Sequence, residues 1–352
     1  MGFEPIDRRG FLALGGAGLI CTIAGQEIRT DDGQVDVEKL AREVKVPPKV
    51  TAAEWRGEEA GRRRLAALAT TSAALREYWI AAEPVEWDIV PTHRDEMMAE
   101  RVKDGKTKFK AYGYRPYSAG FKKPLGPARV PGPLLEAEVG DTVVVHFRNK
   151  TGAPVTMHPH GIFYADEMDG SYKGKWTDPG GFVQTNRSFT YVWEAREGTE
   201  GTWLYHDHGP MDPLPVFKGL FGPLVIRKPG EPRPEAEFFL GFHTWDPSIT
   251  GLKGTYSCIN GRAYAGNTPT LKAKVGQRVA FHVYGMDNFF HTFHLHGHRW
   301  TEPDGRVADN KTFGPADSFR VEFTEDNPGR WFYHCHVFQH LHMGMNGWYV
   351  VS

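Results

Sequence analysis

Short runs in which apolar and polar residues alternate dominate the chain from Trp79 onward. "TVVVHF", "FTYVWEA" and "RVAFHV" are typical, and clusters of Gly and Pro separate them. A period of two broken by turn residues predicts an all-β fold made of sandwiches. Upstream the texture changes. From Ala52 to Tyr78, a stretch containing "EEAGRRRLAALATTSAALREY" predicts one packing helix, and from Gln26 to about Lys49 a charged stretch poor in aromatics reads as a linker.

The β-region is duplicated. "PLLEAEVGDTVVVHFRNKTGAPVTMHPHG" (133–161) aligns without a gap on "PTLKAKVGQRVAFHVYGMDNFFHTFHLHG" (269–297), at a constant offset of 136 residues. "GTWLYHDH" (201–208) matches "GRWFYHCH" (329–336) at an offset of 128, so the unit recurs with a net deletion of eight. Two similar β-domains follow, joined near the Pro-rich "RKPGEPRPE" at 227–235. The predicted organisation is a signal segment over 1-25, a linker and helical extension over 26-78, one β-domain over 79-230 and a second over 231-352.

At 352 residues the chain has ample length for two such domains. Its formal net charge of -1 offers nothing that would steer it to nucleic acid or an anionic membrane. Three cysteines, Cys21, Cys258 and Cys335, make a disulfide framework an unsuitable reading, and Cys258 reads as a small buried hydrophobe. Export is instead suggested by "DRRGFLALGGAGLICTIAG", where Arg8 and Arg9 precede an apolar run too short to span a bilayer comfortably. The pair followed by Phe11 and Leu12 resembles a twin-arginine signal, with Asp7 departing from the usual Ser or Thr. The expected location is extracellular, periplasmic or at the cell envelope.

The chemistry lies in the histidines. Each β-domain carries two His-x-His pairs: His158/His160 and His206/His208, then His294/His296 and His334/His336. Residues i and i+2 of a strand share a face, so each pair presents two imidazoles side by side. Eight imidazoles at duplicated positions suit copper. By the same period, Cys335 points to the face opposite His334 and His336, toward the domain interior. There the Cys335 thiolate, His340 and His291, with a long bond to a methionine, form a blue-copper ligand set.

"HPHG", "HDH", "HTFHLHG" and "HCHVFQHLHMGM", in that order and spacing, resemble the copper-binding blocks of the multicopper oxidases, specifically the two-domain (small) laccases, over about residues 79 to 352. The resemblance implies two cupredoxin-like Greek-key β-sandwich domains and four coppers per chain. His158 and His294 would hold the type 2 copper, and His160, His206, His208, His296, His334 and His336 the type 3 pair. Met345 would be the axial ligand of the type 1 copper, with Met343 its local competitor. Tyr164 matches a tyrosine beside the trinuclear cluster. Asp169 is a candidate proton donor, the alternative being a turn residue before Gly170. The four positions equivalent to the type 1 ligands in the first domain are Val155, Asp207, Asp212 and Phe217, so no blue site is expected there.

The implied activity is laccase-like: one-electron oxidation of phenols or aromatic amines, coupled to reduction of dioxygen to water. The implied assembly is a homotrimer with its clusters between chains. A metallo-oxidase acting on Cu(I), Fe(II) or Mn(II), a copper nitrite reductase and a non-enzymatic copper electron carrier are the alternatives. His93, His146, His243, His282 and His298 read as framework residues.

Overall fold

The structure, a computed structural model, describes residues 20–23, 26–29, 35–43, 51–68, 71–103, 105–176 and 178–352. The signal reading falls on 1–25, where Arg8 and Arg9 lie outside the described residues. No helix among the described residues is long and apolar enough to cross a membrane.

Two β-sandwiches follow one another, and their strands repeat as the sequence does. In the first, a five-stranded sheet runs in the order Phe163–Tyr164, Ser188–Glu194, Thr142–Asn149, Leu75–Asp88, Lys108–Tyr117. Its partner sheet runs Leu135–Glu138, Phe221–Arg227, Gly201–His206, His158–Pro159. In the second, Tyr256–Ile259, Ala236–Trp245, Arg278–Gly285 and Ser318–Thr324 form one sheet. Leu271–Ala273, Asn346–Val351, Gly329–Cys335, His291–Leu295 and Asn310–Phe313 form the other. Leu75–Asp88 pairs in parallel with Thr142–Asn149, and its counterpart Ala236–Trp245 pairs in parallel with Arg278–Gly285. These are two cupredoxin-like Greek-key sandwiches, each closed over its own apolar core.

A third core joins them. Trp87, Phe109, Leu204 and Phe221 of the first sandwich pack with Trp245, Tyr256 and Tyr284 of the second. An aromatic of this size buries roughly 150–250 Å², on the order of 4–6 kcal/mol of apolar transfer. Several such side chains outweigh the interfacial hydrogen bonds, at about 0.5–1.5 kcal/mol each, so the apolar core is what chiefly joins the two sandwiches. Around it runs a polar network. Buried Arg227 pairs with Glu136 at 2.7 Å and Glu237 at 2.9 Å, Glu237 meets His282 Nε2 at 2.9 Å, and His282 Nδ1 meets Thr202 Oγ1 of the first sandwich.

The N-terminal region differs from its sequence reading in two places. The helix spans Thr51–Leu68 and ends ten residues short of Tyr78. Thr71 N–H and the Ser72 hydroxyl close it on the Leu68 carbonyl, and Leu75 to Ala82 join the sheet beside Thr142–Asn149. The backbone ladder outcompetes the helical pattern there. The stretch read as a linker contains a helix, Val37–Glu43, begun by Asp36, whose carboxylate accepts Lys39 N–H at 2.8 Å. Val35 and Val37 are buried in the first core, which a two-residue apolar signal in a charged stretch does not announce.

The Glu237 carboxyl shows how the domain junction responds to acid. Burial pushes it up, but the bonds from His282 and Arg227 outweigh burial and bring it to about 2. A carboxyl depressed on folding stabilises above its unfolded range and loses that contribution as the pH falls toward its folded value. Glu237→Gln is therefore expected to lower the thermal midpoint near pH 7, with the gap to wild type narrowing as the pH drops through 4.5 toward 2, measured by melting curves across that range.

Candidate metal centre

The strand Gly329–Cys335 lies antiparallel to His291–Leu295, with Cys335 opposite Phe293 and His334 opposite His294. Its alternation divides the chemistry. Cys335 is fully buried, and its sulfur lies 3.9 Å from His291 Nδ1 and 3.6 Å from His340 Nδ1. The three donor atoms fall within 4.8 Å of one another. Burial raises the Cys335 thiol, but hydrogen bonds with His291 and His340 and the Thr292 N–H at 3.4 Å bring it down to about 6, so a thiolate is available at neutral pH. Met345 is fully buried, its carbonyl accepting the Cys335 N–H and its own N–H donating to the His340 carbonyl, each at 3.0 Å. Met343 is half-buried, and His342 is exposed on the short helix Phe338–His342.

On the other face the histidines form two separate groups. His158, His160 and His206 converge in the first sandwich, His294, His296 and His334 in the second. His160 and His206 approach at 3.0 Å between Nε2 atoms, His296 and His334 at 3.1 Å. Backbone carbonyls hold the opposite nitrogens: His206 Nδ1 meets Asp207 O at 2.6 Å, His334 Nδ1 meets Cys335 O at 2.9 Å, His158 Nδ1 meets Asp169 O at 2.7 Å, and His294 Nδ1 meets Asp309 O at 2.8 Å. Carbonyls accept only, so each Nε2 keeps its lone pair for a metal. Burial, reinforced by neighbouring imidazoles, lowers His160 and His334 to about 4, leaving both neutral at pH 7. His208 and His336 stand outside the tight triads, their ring centroids 5.3 Å from His158 and 5.4 Å from His294.

Gly161 and Gly297, at φ of 67° and 73°, turn the chain after the pairs His158/His160 and His294/His296, where a Cβ would strike Trp203 and Trp331. The first group opens on a cavity of about 370 Å³ lined by His158, His160, Phe163 and Tyr164. In the second, His296 and His336 are exposed. Among the described residues no ring contact joins an imidazole of one group to one of the other.

In the first sandwich, Asp207 takes the place of Cys335. Its carboxylate accepts Thr156 N–H at 2.6 Å, as the Cys335 sulfur accepts that of Thr292, and burial pushes it up to about 8. Buried Val155 stands where His291 would be, and Asp212 Oδ2 lies 3.3 Å from His208 Nδ1. Tyr164 faces His158 with ring centroids 5.9 Å apart. Asp169 meets His158 Nδ1 at 3.1 Å and Lys173 Nζ at 2.9 Å; burial raises its carboxyl, but these two partners lower it to about 2. In this setting Asp169 is an ionised acceptor that must gain a proton before it can give one. Sequence reasoning missed Asp287, which holds His291 Nε2 at 3.0 Å and so aims Nδ1 at the sulfur; its position four residues before His291 was the available signal. The Asp309 carbonyl carries no sequence signal at all.

Two family profiles, both described as multicopper oxidase, match residues 127–231 and 232–352. The chain belongs to the multicopper oxidases. A crystal structure of a multicopper oxidase superposes with a TM-score of 0.63 at 25% identity, covering 79% of this chain and 89% of that one. A probable nitrite reductase-hydroxylamine oxidoreductase fusion protein of Kuenenia stuttgartiensis is 31% identical over 63% of this chain and 28% of its own length. Ferroxidase HEPHL1 of Mus musculus is 28% identical over 82% of this chain and 30% of its own. The chain thus spans under a third of the length of these curated relatives.

The donor sets fit the copper that the multicopper oxidases bind. A thiolate with two Nδ1 donors beside a buried methionine suits a blue site, and neutral imidazoles with oriented Nε2 atoms suit the rest. Cys335→Ser in this multicopper oxidase is expected to abolish the intense thiolate-to-copper absorption while copper remains bound to the histidines. Visible spectra and metal analysis of the same sample check it, and a variant that stays blue would sink the ligand assignment.

Proposed function

We propose that this multicopper oxidase is laccase-like, oxidising phenols or aromatic amines one electron at a time and reducing dioxygen to water. Copper supplies the one-electron and oxygen-reducing chemistry. His291, Cys335, His340 and Met345 would hold the type 1 ion, and the eight paired histidines a trinuclear cluster of one type 2 and two type 3 ions, four per chain. The observation that carries the reading is the single strand end on which Cys335 faces one site while His334 and His336 face the other.

The residues divide the work. His340 packs edge-on against half-exposed Phe289, ring centroids 5.7 Å apart, and is the ligand through which a reductant reaches the thiolate site. Cys335 is covalently joined to His334 and His336, so electrons pass along the backbone without a diffusing carrier. Tyr164, beside His158, and Asp169, an ionised carboxylate held between His158 and Lys173, serve the oxygen-reducing side. A first sandwich with Asp207 at the cysteine position supplies ligands and no second blue site, which argues against a nitrite reductase carrying its blue site in that domain.

Oxidation of Fe(II) is the second reading, favoured by the likeness to the ferroxidase HEPHL1. Oxygen-electrode measurements separate the two. Uptake is expected with a methoxyphenol at a catalytic efficiency well above that with Fe(II). The reverse order would make the chain a metallo-oxidase, and no uptake with either would leave an electron carrier.

The histidine sets of the two sandwiches form separate groups within one chain, which supports a cluster completed by a second copy. The proposed assembly is a closed homotrimer in which the first domain of one chain meets the second domain of the next. His206→Ala and His336→Ala chains, each inactive alone, are expected to recover activity when co-expressed, because every mixed ring contains one junction with both halves intact. Mixed rings verified by mass yet fully inactive would contradict a shared cluster.

A further inference from the structure

A pair of elements ahead of the first sandwich, residues 35–43 and the helix Thr51–Leu68, reaches both turns that stand behind the first-domain histidines. We propose that it is a clamp that positions His158 and His208, an inference that rests on the assignment of these residues to the oxygen-reducing cluster.

The first arm is electrostatic. Glu38, in the helix Val37–Glu43, places both carboxylate oxygens 3.2 Å from Lys218 Nζ, with Lys110 at 3.4 Å from one of them. The Lys218 side chain is only 6% exposed, and its ammonium lies over the Tyr112 ring. Removing the partner of a buried charge is strongly destabilising, so Glu38 dictates where Lys218 rests. Lys218 closes the turn that leaves His208. Asp212, whose carboxylate meets His208 Nδ1, Met211 and Leu214 lie along it, and Lys218 N–H returns to the Leu214 carbonyl at 3.0 Å. Displacing Lys218 therefore displaces the partner of His208.

The second arm is steric. At Gly61 the helix Thr51–Leu68 lies so close to the strand Ser188–Glu194 that a Cβ would come within 2.5 Å of the Thr190 carbonyl oxygen. Arg64 pairs with Glu194 of that strand. The same helix packs on the turn Asp166–Met168, and Trp193 Nε1 of the strand donates to the Met168 carbonyl at 3.0 Å. The next residue, Asp169, holds His158 with both its carbonyl and its carboxylate. At the clamp's N-terminal end, Val35 N–H donates to Ser248 O at 2.7 Å, tying the segment to the second domain.

The test uses Glu38→Gln, which leaves Lys218 without its counter-charge, and Gly61→Leu, which lifts the helix. In metal-free protein, amide exchange is expected to quicken about tenfold or more over 209–218 in the first variant and over 163–170 in the second, with 329–336 unchanged. Loaded with copper, both variants should keep the full blue absorption of Cys335, while reoxidation of the reduced protein by oxygen slows about tenfold. The pair Glu38→Leu with Lys218→Met, which replaces the ions by packing, should restore protection over 209–218 and the reoxidation rate. Unchanged exchange over both turns would overturn the clamp. Exchange rising evenly through both domains, with colour lost in step, would do the same by showing a general loss of stability. A wild-type protein that never turns blue would count against the proposed function instead, and exchange in the metal-free protein would still decide the clamp.

Discussion

The alternation of a β-strand is the constraint on which the site depends. At 334–336, successive side chains leave on opposite faces, so one strand end sends a thiolate inward to His291 and His340 and two imidazoles outward toward His294 and His296. No helix could make this division at adjacent positions with comparable economy, since neighbours there differ by about 100° and not by a half-turn. Peptide bonds then join the two metal environments, and their separation is set by covalent geometry. A one-residue slip of the strand against His291–Leu295 would exchange the faces and destroy both sites at once. The register, with His334 opposite His294, is therefore as much a functional feature as the ligands.

Duplication explains why the histidines come in equivalent groups, and the different residue at one equivalent position, Asp207 against Cys335, explains why they are not equivalent in role. The carbonyls that hold His206 and His334 belong to Asp207 and Cys335, the same position in two copies of one unit. Both side chains accept the same backbone N–H, from Thr156 or Thr292. The same pocket holds a thiolate in one sandwich and a buried acid in the other. The first sandwich carries the histidine group without a thiolate beside it. The shared aromatic core around Trp245 and Tyr284 joins the two sandwiches.

Much of this was legible in the residues. Four His-x-His pairs, a lone cysteine between two of them and a constant offset in the repeat place the donors before any coordinates exist, because strand periodicity is local. Fully buried Met345 follows from the same motif. What escaped depends on long-range contacts. Glu38 looked like one more charge in a linker, and only the fold shows that it meets Lys218, 180 residues away. Leu75 looked like the end of a helix until Thr142–Asn149 supplied it with a ladder partner. The backbone carbonyls of Asp169 and Asp309 carry no side-chain signature, yet they decide which nitrogen of His158 and His294 is free.

The central claim is that one strand end serves two copper environments, one within the chain and one completed by a neighbour. Anomalous diffraction at the copper edge from crystals of the copper-loaded protein tests it most directly. The account predicts four peaks per chain. One lies among His291, Cys335 and His340, and three lie between the first-domain histidines of one copy and the second-domain histidines of the next. Density at the histidines with none at Cys335, or a complete cluster assembled from a single chain, would contradict it.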